Sequence, residues 1–231
     1  MRRRRKALLA TALLFSGMLG TSPVVAAESG SPAPLVQTKK SKADRLISEA
    51  TAEVRLMKAD SKLTALIARA KGIYLVPVFR CGALIVGGRL GAGIVLAKHD
   101  GQWTDPAFYD FRAVSIGPQL GGSAGEMAFL LMDDHAVDAF KNRNKLSLDT
   151  NAEVSIPTYS AGVQASLGEG HVVVWLHTAG AYAGATVGVT DLNWATAENH
   201  AFYGRKVEPS QVFVGGIEAP GARSLKSALA G

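Results

Sequence analysis

A chain of 231 residues, 48% apolar and with a single cysteine, has material for one domain with a sizeable core and cannot close an internal disulfide. The formal charge is +6, but Arg2, Arg3, Arg4, Arg5 and Lys6 supply five positive charges at the start, leaving +1 for the rest. Net charge therefore excludes any argument for a nucleic-acid partner.

Those basic residues are followed by the apolar run Ala7–Leu19, too short to span a bilayer comfortably, and by the small residues Val25-Ala26-Ala27. The pattern predicts an export signal over 1–27, cleaved after Ala27, by the Sec or the twin-arginine route. No cysteine follows the apolar run, which excludes a lipoprotein anchor. The expected product, Glu28–Gly231, is periplasmic or secreted. Within it the sequence divides into a flexible leader rich in Ser, Pro and Ala (28–40), a domain (41–219) and a C-terminal tail (220–231).

Two helices open the domain. Ser41 is the expected cap of the first, whose inner face repeats Ala43, Leu46, Ile47, Ala50, Val54 and Met57 at helical spacing. Lys42, Arg45, Glu49, Glu53 and Arg55 occupy the rest. Ser61 is the expected cap of the second, with Leu63, Leu66, Ile67 and Ala70 inward and Gly72 ending it. Then come Val-, Ile- and Leu-rich runs punctuated by glycine: Ile73–Phe79, Ala83–Leu96 and Ser115–Met132. These read as strands with bends and close backbone approaches. Cys81, between Phe79 and Ala83, reads as a buried small hydrophobe. Asp100-Gly101 predicts a hairpin turn, and Trp103, Pro106, Phe108 and Tyr109 a plug at one end of the sheet. Pro77, without an amide to donate, belongs at a strand end or edge.

Asp133 or Asp134 starts a short helix to about Asn144, with Ala136, Val137 and Phe140 inward. Further strands are expected at Ala152–Ile156, Ala161–Leu167, His171–Thr178 and Ala181–Val189, with a hairpin at Gly168-Glu169-Gly170. A helix follows at Asn193–Tyr203, a last strand at Ser210–Ile217 and a frayed helix at Ala222–Ala230. The fold class is α+β: a curved, mainly antiparallel sheet, open or barrel-like, with the N-terminal helical pair packed on it.

Several segments, in order, carry a family resemblance: Lys71-Gly72-Ile73-Tyr74-Leu75-Val76-Pro77, Val86-Gly87-Gly88-Arg89-Leu90-Gly91-Ala92-Gly93-Ile94-Val95-Leu96 and Gly101-Gln102-Trp103-Thr104-Asp105-Pro106-Ala107-Phe108-Tyr109. Gly117-Pro118-Gln119-Leu120-Gly121 and Ala201-Phe202-Tyr203-Gly204 extend it. From about Ala43 to Gly204 the chain resembles the SYLF domain, found in lipid-binding and actin-patch proteins of eukaryotes and in exported bacterial proteins. The resemblance implies binding to anionic phospholipids through an amphipathic N-terminal helix and basic residues. Export would make phosphoinositides and actin unsuitable partners here.

Patterns for catalysis are incomplete. Gly91-Ala92-Gly93 lacks the third glycine of a dinucleotide fingerprint, and Gly117–Gly122 lacks a phosphate-loop lysine. Of the histidines His99, His135, His171, His177 and His200, only His171 and His177 share a strand face, and roughly 20 Å of strand separates them, too far for one zinc. No metal or cofactor is expected. Gly121-x-Ser123-x-Gly125 has the letters of a nucleophile elbow but no following helix. The hydrolase alternative would use Ser123 as nucleophile and His177 or His200 as base. Asp133 and Asp134 suit helix capping better than acid–base work. Glu126 interrupts an apolar strand and is expected to face inward, toward Arg89 or Arg80.

The reading that remains is a non-enzymatic lipid-binding domain at the envelope membrane surface, with anionic phospholipid as partner. The site residues are Lys39, Lys40, Lys42 and Arg45, with Leu46 and Ile47 beside them as apolar contacts. The alternative is an envelope scaffold whose helices dock on a protein.

Overall fold

The structure, a computed structural model, describes residues 34–81, 91–111, 113–116, 123–142, 145–148, 158–159, 171–178 and 187–231. In chain order the elements are α1 (Pro34–Lys58), α2 (Ser61–Arg69), β1 (Gly72–Cys81), β2 (Gly91–His99), β3 (Gln102–Trp103), β4 (Ala107–Phe111), β5 (Ala113–Ile116) and β6 (Ser123–Leu131). There follow α3 (Asp134–Asn142), β7 (Lys145–Leu148), β8 (Thr158–Tyr159), β9 (Val172–Thr178), β10 (Val187–Trp194), α4 (Thr196–Tyr203), α5 (Pro209–Phe213), a 3-10 turn (Pro220–Ala222) and α6 (Arg223–Ala230).

Strand β1 is central, between β2 and β6, and the hydrogen-bonding order is β5-β10-β4-β2-β1-β6-β9-β8, with β3 on β2 and β7 on β10. All pairs described are antiparallel except β8–β9. The expected curvature is present. Backbone of β5 comes within 8 Å of β1 although β10, β4 and β2 separate them in the order. The two do not pair, so the sheet is not closed into a barrel.

Both faces are buried. Tyr74, Val76, Val95, Tyr109, Phe129 and Leu131 pack with Phe140 of α3 and Phe213 of α5 on one side. Ile73, Leu75, Ile94, Phe108, Ala128 and Trp175 pack with α1, α2 and α6 on the other. Alternation along β1 breaks once: Val76 pairs with Met127 but Phe79 with Gly125, one residue extra on β1. This bulge contains Pro77, a position where a missing amide breaks no ladder bond. It also turns Phe79 onto the face of Val76.

Glycine's role is plainest at Gly93, where an added Cβ would lie 2.4 Å from the Tyr74 ring and 2.7 Å from the Leu75 carbonyl oxygen. The turn Asp100-Gly101 has φ of 49° and 76°, the paired positive values of a tight two-residue hairpin.

Helix α1 starts at Pro34, not at Ser41; proline suits a first turn, whose amides have no helical partner. Residues 34–40 of the expected leader are therefore helical, and Ser41 bonds the Thr38 carbonyl from within the helix. Asp60, not Ser61, caps α2, accepting from the amides of Lys62 and Leu63. Gly72 opens β1 instead of ending α2; the C-cap is Ala70, and Lys98 of β2 donates to the last carbonyls, at 2.6 Å from Ala68 O. Asp133 caps α3 through the Ala136 amide. In place of the strand expected at Ser210–Ile217 the chain forms helix α5, ending at Phe213, and then a turn. Pro209 sits in its first turn, and Glu208 and Gln211 form a reciprocal capping box. The C-terminal helix is docked, not frayed, with Leu225 and Leu229 buried. Expected strands at 152–156 and 161–167, the 168–170 hairpin, most of Ala181–Val189 and the glycines at 82–90 and 117–122 lie outside the described residues.

Gly93→Ala is expected to cost about 1–3 kcal/mol through overpacking, seen as a lower urea midpoint. Gly216→Ala, where a Cβ meets nothing within 4 Å, should stay within about 0.5 kcal/mol of the parent. Equal midpoints for the two variants would refute the close-approach argument.

Candidate functional site

The basic residues of α1 do not form one free cluster. Lys39 and Lys42, a helical turn apart, both reach Glu198 of α4, at 2.6 and 3.2 Å. Glu198 is 3% exposed at its side chain, and its second oxygen has no partner. Burial works against its charge, but the two ammonium groups outweigh burial and hold the carboxyl below its usual range. Lys39 and Lys42 are thus structural first.

Lys40 and Arg45 point outward. Lys40 pairs with Asp44 at 3.6 Å and lies 5.6 Å from the centre of the Phe202 ring. Arg45 pairs with Glu49 at 3.6 Å and is 72% exposed at its side chain. Exposed i,i+4 pairs of this kind are worth little in water, so both cations stay available. Leu46 and Ile47 are buried in the α1–sheet core, so the docked helix has no apolar contact to offer there. Lys40 also borders a cleft of about 380 Å³, with Arg205, Phe202, Tyr203, Glu218 and the backbone of Gly216–Gly221 around it.

Helix α4 is fixed by a residue that the sequence pattern did not single out. Asn199, fully buried, accepts from the Phe108 amide at 3.0 Å and donates to the Phe108 and Ala195 carbonyls at 2.8 and 3.0 Å. It satisfies β4 as a neighbouring strand would. Tyr203 donates to the Pro106 carbonyl at 2.7 Å. Asp105, buried just ahead of β4, bonds Lys226 of α6 and the Ala219 amide. Burial raises its pKa, with Lys226 opposing.

Other expected sites resolve as follows. Glu126 lies on the α1 side of β6, partly exposed, and pairs with His177 of β9 at 3.1 Å, directly across the ladder; the expected partner Arg89 lies outside the described residues, as does the side chain of Arg80. His177 stacks on Trp175, with ring centres 5.7 Å apart. His171 bonds Asp133, and His200 is exposed on α4. Ser123 lies within strand β6, which runs on to Leu131 without a helix, so it is no elbow nucleophile. Among the described residues no group of three or more acidic, His or Cys side chains is placed to hold a metal ion. Glu53, assigned to the outer face of α1 by its charge, is wholly buried.

Because the folded-state pKa of Glu198 is depressed, its contribution to stability is present above the unfolded glutamate value, about 4.3, and is lost as pH falls through the lower folded value. Glu198→Gln is expected to cost about 1–3 kcal/mol at neutral pH, at the low end for a broken buried pair because the lysines are partly solvated. It should also flatten the acid limb of a urea-stability profile. An unchanged acid limb would show that the pair contributes nothing.

Residues 112–231, from just before β5 through α6, match the family model described as "Ysc84: Las17-binding protein actin regulator". SH3 domain-containing YSC84-like protein 1 of Bos taurus is 27% identical over 158 residues, 67% of this chain and 46% of its own length. Protein YSC84 of Saccharomyces cerevisiae is 26% identical over 160 residues, 67% of this chain and 34% of its own. LAS seventeen-binding protein 3 of the same yeast is 26% identical over 160 residues, covering 35% of its length. The chain thus spans less than half the length of these relatives. With the family model covering more than half of it, and with the ordered SYLF motifs in its central strands, the chain belongs to the Ysc84 family of SYLF-domain proteins.

Proposed function

We propose that this domain is an exported, non-enzymatic module that associates weakly with anionic phospholipid at the envelope membrane surface. The observation that carries this reading is the outward edge of α1. Lys40 and Arg45 stand at 54% and 72% side-chain exposure, in solvated pairs with Asp44 and Glu49, on a helix tied to α4 through Lys39 and Lys42. Each basic residue near an anionic surface contributes on the order of 1 kcal/mol. Packing of Leu46 and Ile47 makes the docked form's contact electrostatic, without insertion. Export is supported by the basic and apolar segments ahead of Glu28.

A second reading is a protein-docking domain in the envelope. Relatives named for binding Las17 support it. So does a cleft of about 590 Å³ between the α1–α2 turn and β9, where Leu56 is 42% exposed beside Trp175 and His177.

The test is flotation of the full-length protein with phosphatidylglycerol or phosphatidylcholine vesicles. Binding is expected only to the anionic vesicles and should vanish near 0.5 M salt, where the Debye length is about 4 Å. Lys40→Ser with Arg45→Ser should remove most of it while leaving the Glu198 pairs in place. A double variant that floats like the parent would move the site elsewhere. Lipid-independent behaviour throughout would favour the protein-docking reading.

A further inference from the structure

Glu53 of α1 is wholly buried, and neither carboxylate oxygen makes a hydrogen bond. Such a group calls for an explanation, because desolvating an unpaired carboxylate is among the costliest features a core can hold. Beneath it lies β1 at the start of its bulge. The Val76 amide is near enough to favour the charge slightly, though not in hydrogen-bonding geometry.

Among the residues whose side chains are described, no cation offsets it. The groups that act on it are Glu126 of β6 and, through β1, the phenol of Tyr74, itself buried and without a partner. The basic residues of the other elements on α1 are committed elsewhere. Lys98 of β2 serves the end of α2, Lys39 and Lys42 hold Glu198 of α4, Lys58 donates to the Leu229 carbonyl of α6, and Lys226 bonds Asp105. Lys62 and Arg69 of α2 and Arg223 of α6 are exposed.

We propose that Glu53 is a proton-operated latch: α1 docks on the sheet with Glu53 protonated, and loss of that proton releases the helix while the sheet stays folded. Two further observations fit. Burial, then Glu126, push the Glu53 pKa well above the carboxylate range. And among the described residues no backbone hydrogen bond ties α1 to a strand, whereas β1 is hydrogen-bonded to a neighbour on each side, which makes the helix the unit of lower opening energy. For a carboxyl raised on folding, stability is complete below the unfolded pKa and is lost as pH rises through the folded one. Opening is therefore an alkaline event. It uncovers the row Ala43, Leu46, Ile47, Ala50, Val54 and Met57, and it does so whether or not α1 ever touches lipid.

Hydrogen exchange read by mass spectrometry on the full chain, without vesicles, tests the latch. Between about pH 6 and about pH 9, after correction for intrinsic exchange, α1 peptides should lose protection while β1 and β6 peptides keep theirs. Glu53→Gln, which keeps the shape and removes the titration, should hold α1 at least about tenfold more protected at the higher pH. Thr51→Val, a neighbouring non-titrating change, should leave the pH dependence as in the parent. The proposal is overturned if parental α1 protection is flat with pH, if Glu53→Gln loses protection in parallel with the parent, or if β1 and β6 open together with α1.

Discussion

The sheet is covered on both faces, and this governs what every covering element can carry. A strand such as β1, with Tyr74 and Val76 toward one layer and Ile73 and Leu75 toward the other, leaves no wet side to which a polar group can retreat. Each buried polar residue in the helical layer must then find a partner within it. Asn199 meets the requirement with the backbone of Phe108, Glu198 with two lysines, and Asp105 with Lys226 and an amide. Glu53 does not meet it, and that separates it from the rest.

The same constraint explains why the basic stretch of α1 has two characters. Residues at 39 and 42 face α4 and are recruited to neutralise a buried carboxylate. Residues at 40 and 45 face water and form their ion pairs with neighbours on their own helix. A sequence window of four basic residues conceals this division. The family model matches residues 112–231, which include Glu198 and Asn199 but not α1, so that match bears on the anchoring of the helix more than on its outer surface.

Much of the architecture was legible because it rests on periodicity. The α1 face from Ala43 to Met57, the inner residues of α2 and α3, the Asp100-Gly101 hairpin and the antiparallel sheet all follow from spacing and turn chemistry. What was not legible depends on partners distant in sequence. Glu53 reads as a surface residue because charge usually marks the outer face, and only the sheet beneath it makes it core. For Glu126 the sequence carries no sign of His177, the cross-strand neighbour supplied by β9. Helix α5 reads as a strand in the sequence because Val212, Phe213 and Ile217 are apolar at short spacing. The Glu208, Pro209 and Gln211 signals were available in the sequence and outweigh them.

The ties between α1 and the C-terminal part of the chain have a consequence in time. Lys39 and Glu198 are 159 residues apart, and Lys58 and Leu229 are 171 apart. A helix made before the strands of its domain thus lacks part of its seat until α4 and α6 exist. Closing loops of that length carries an entropic cost before the contacts repay it, which slows folding. During synthesis the emerging chain can pair early strands, but the side of α1 that meets α4 and α6 waits uncovered. The segment of this domain that is translated first is among the last that can be completed.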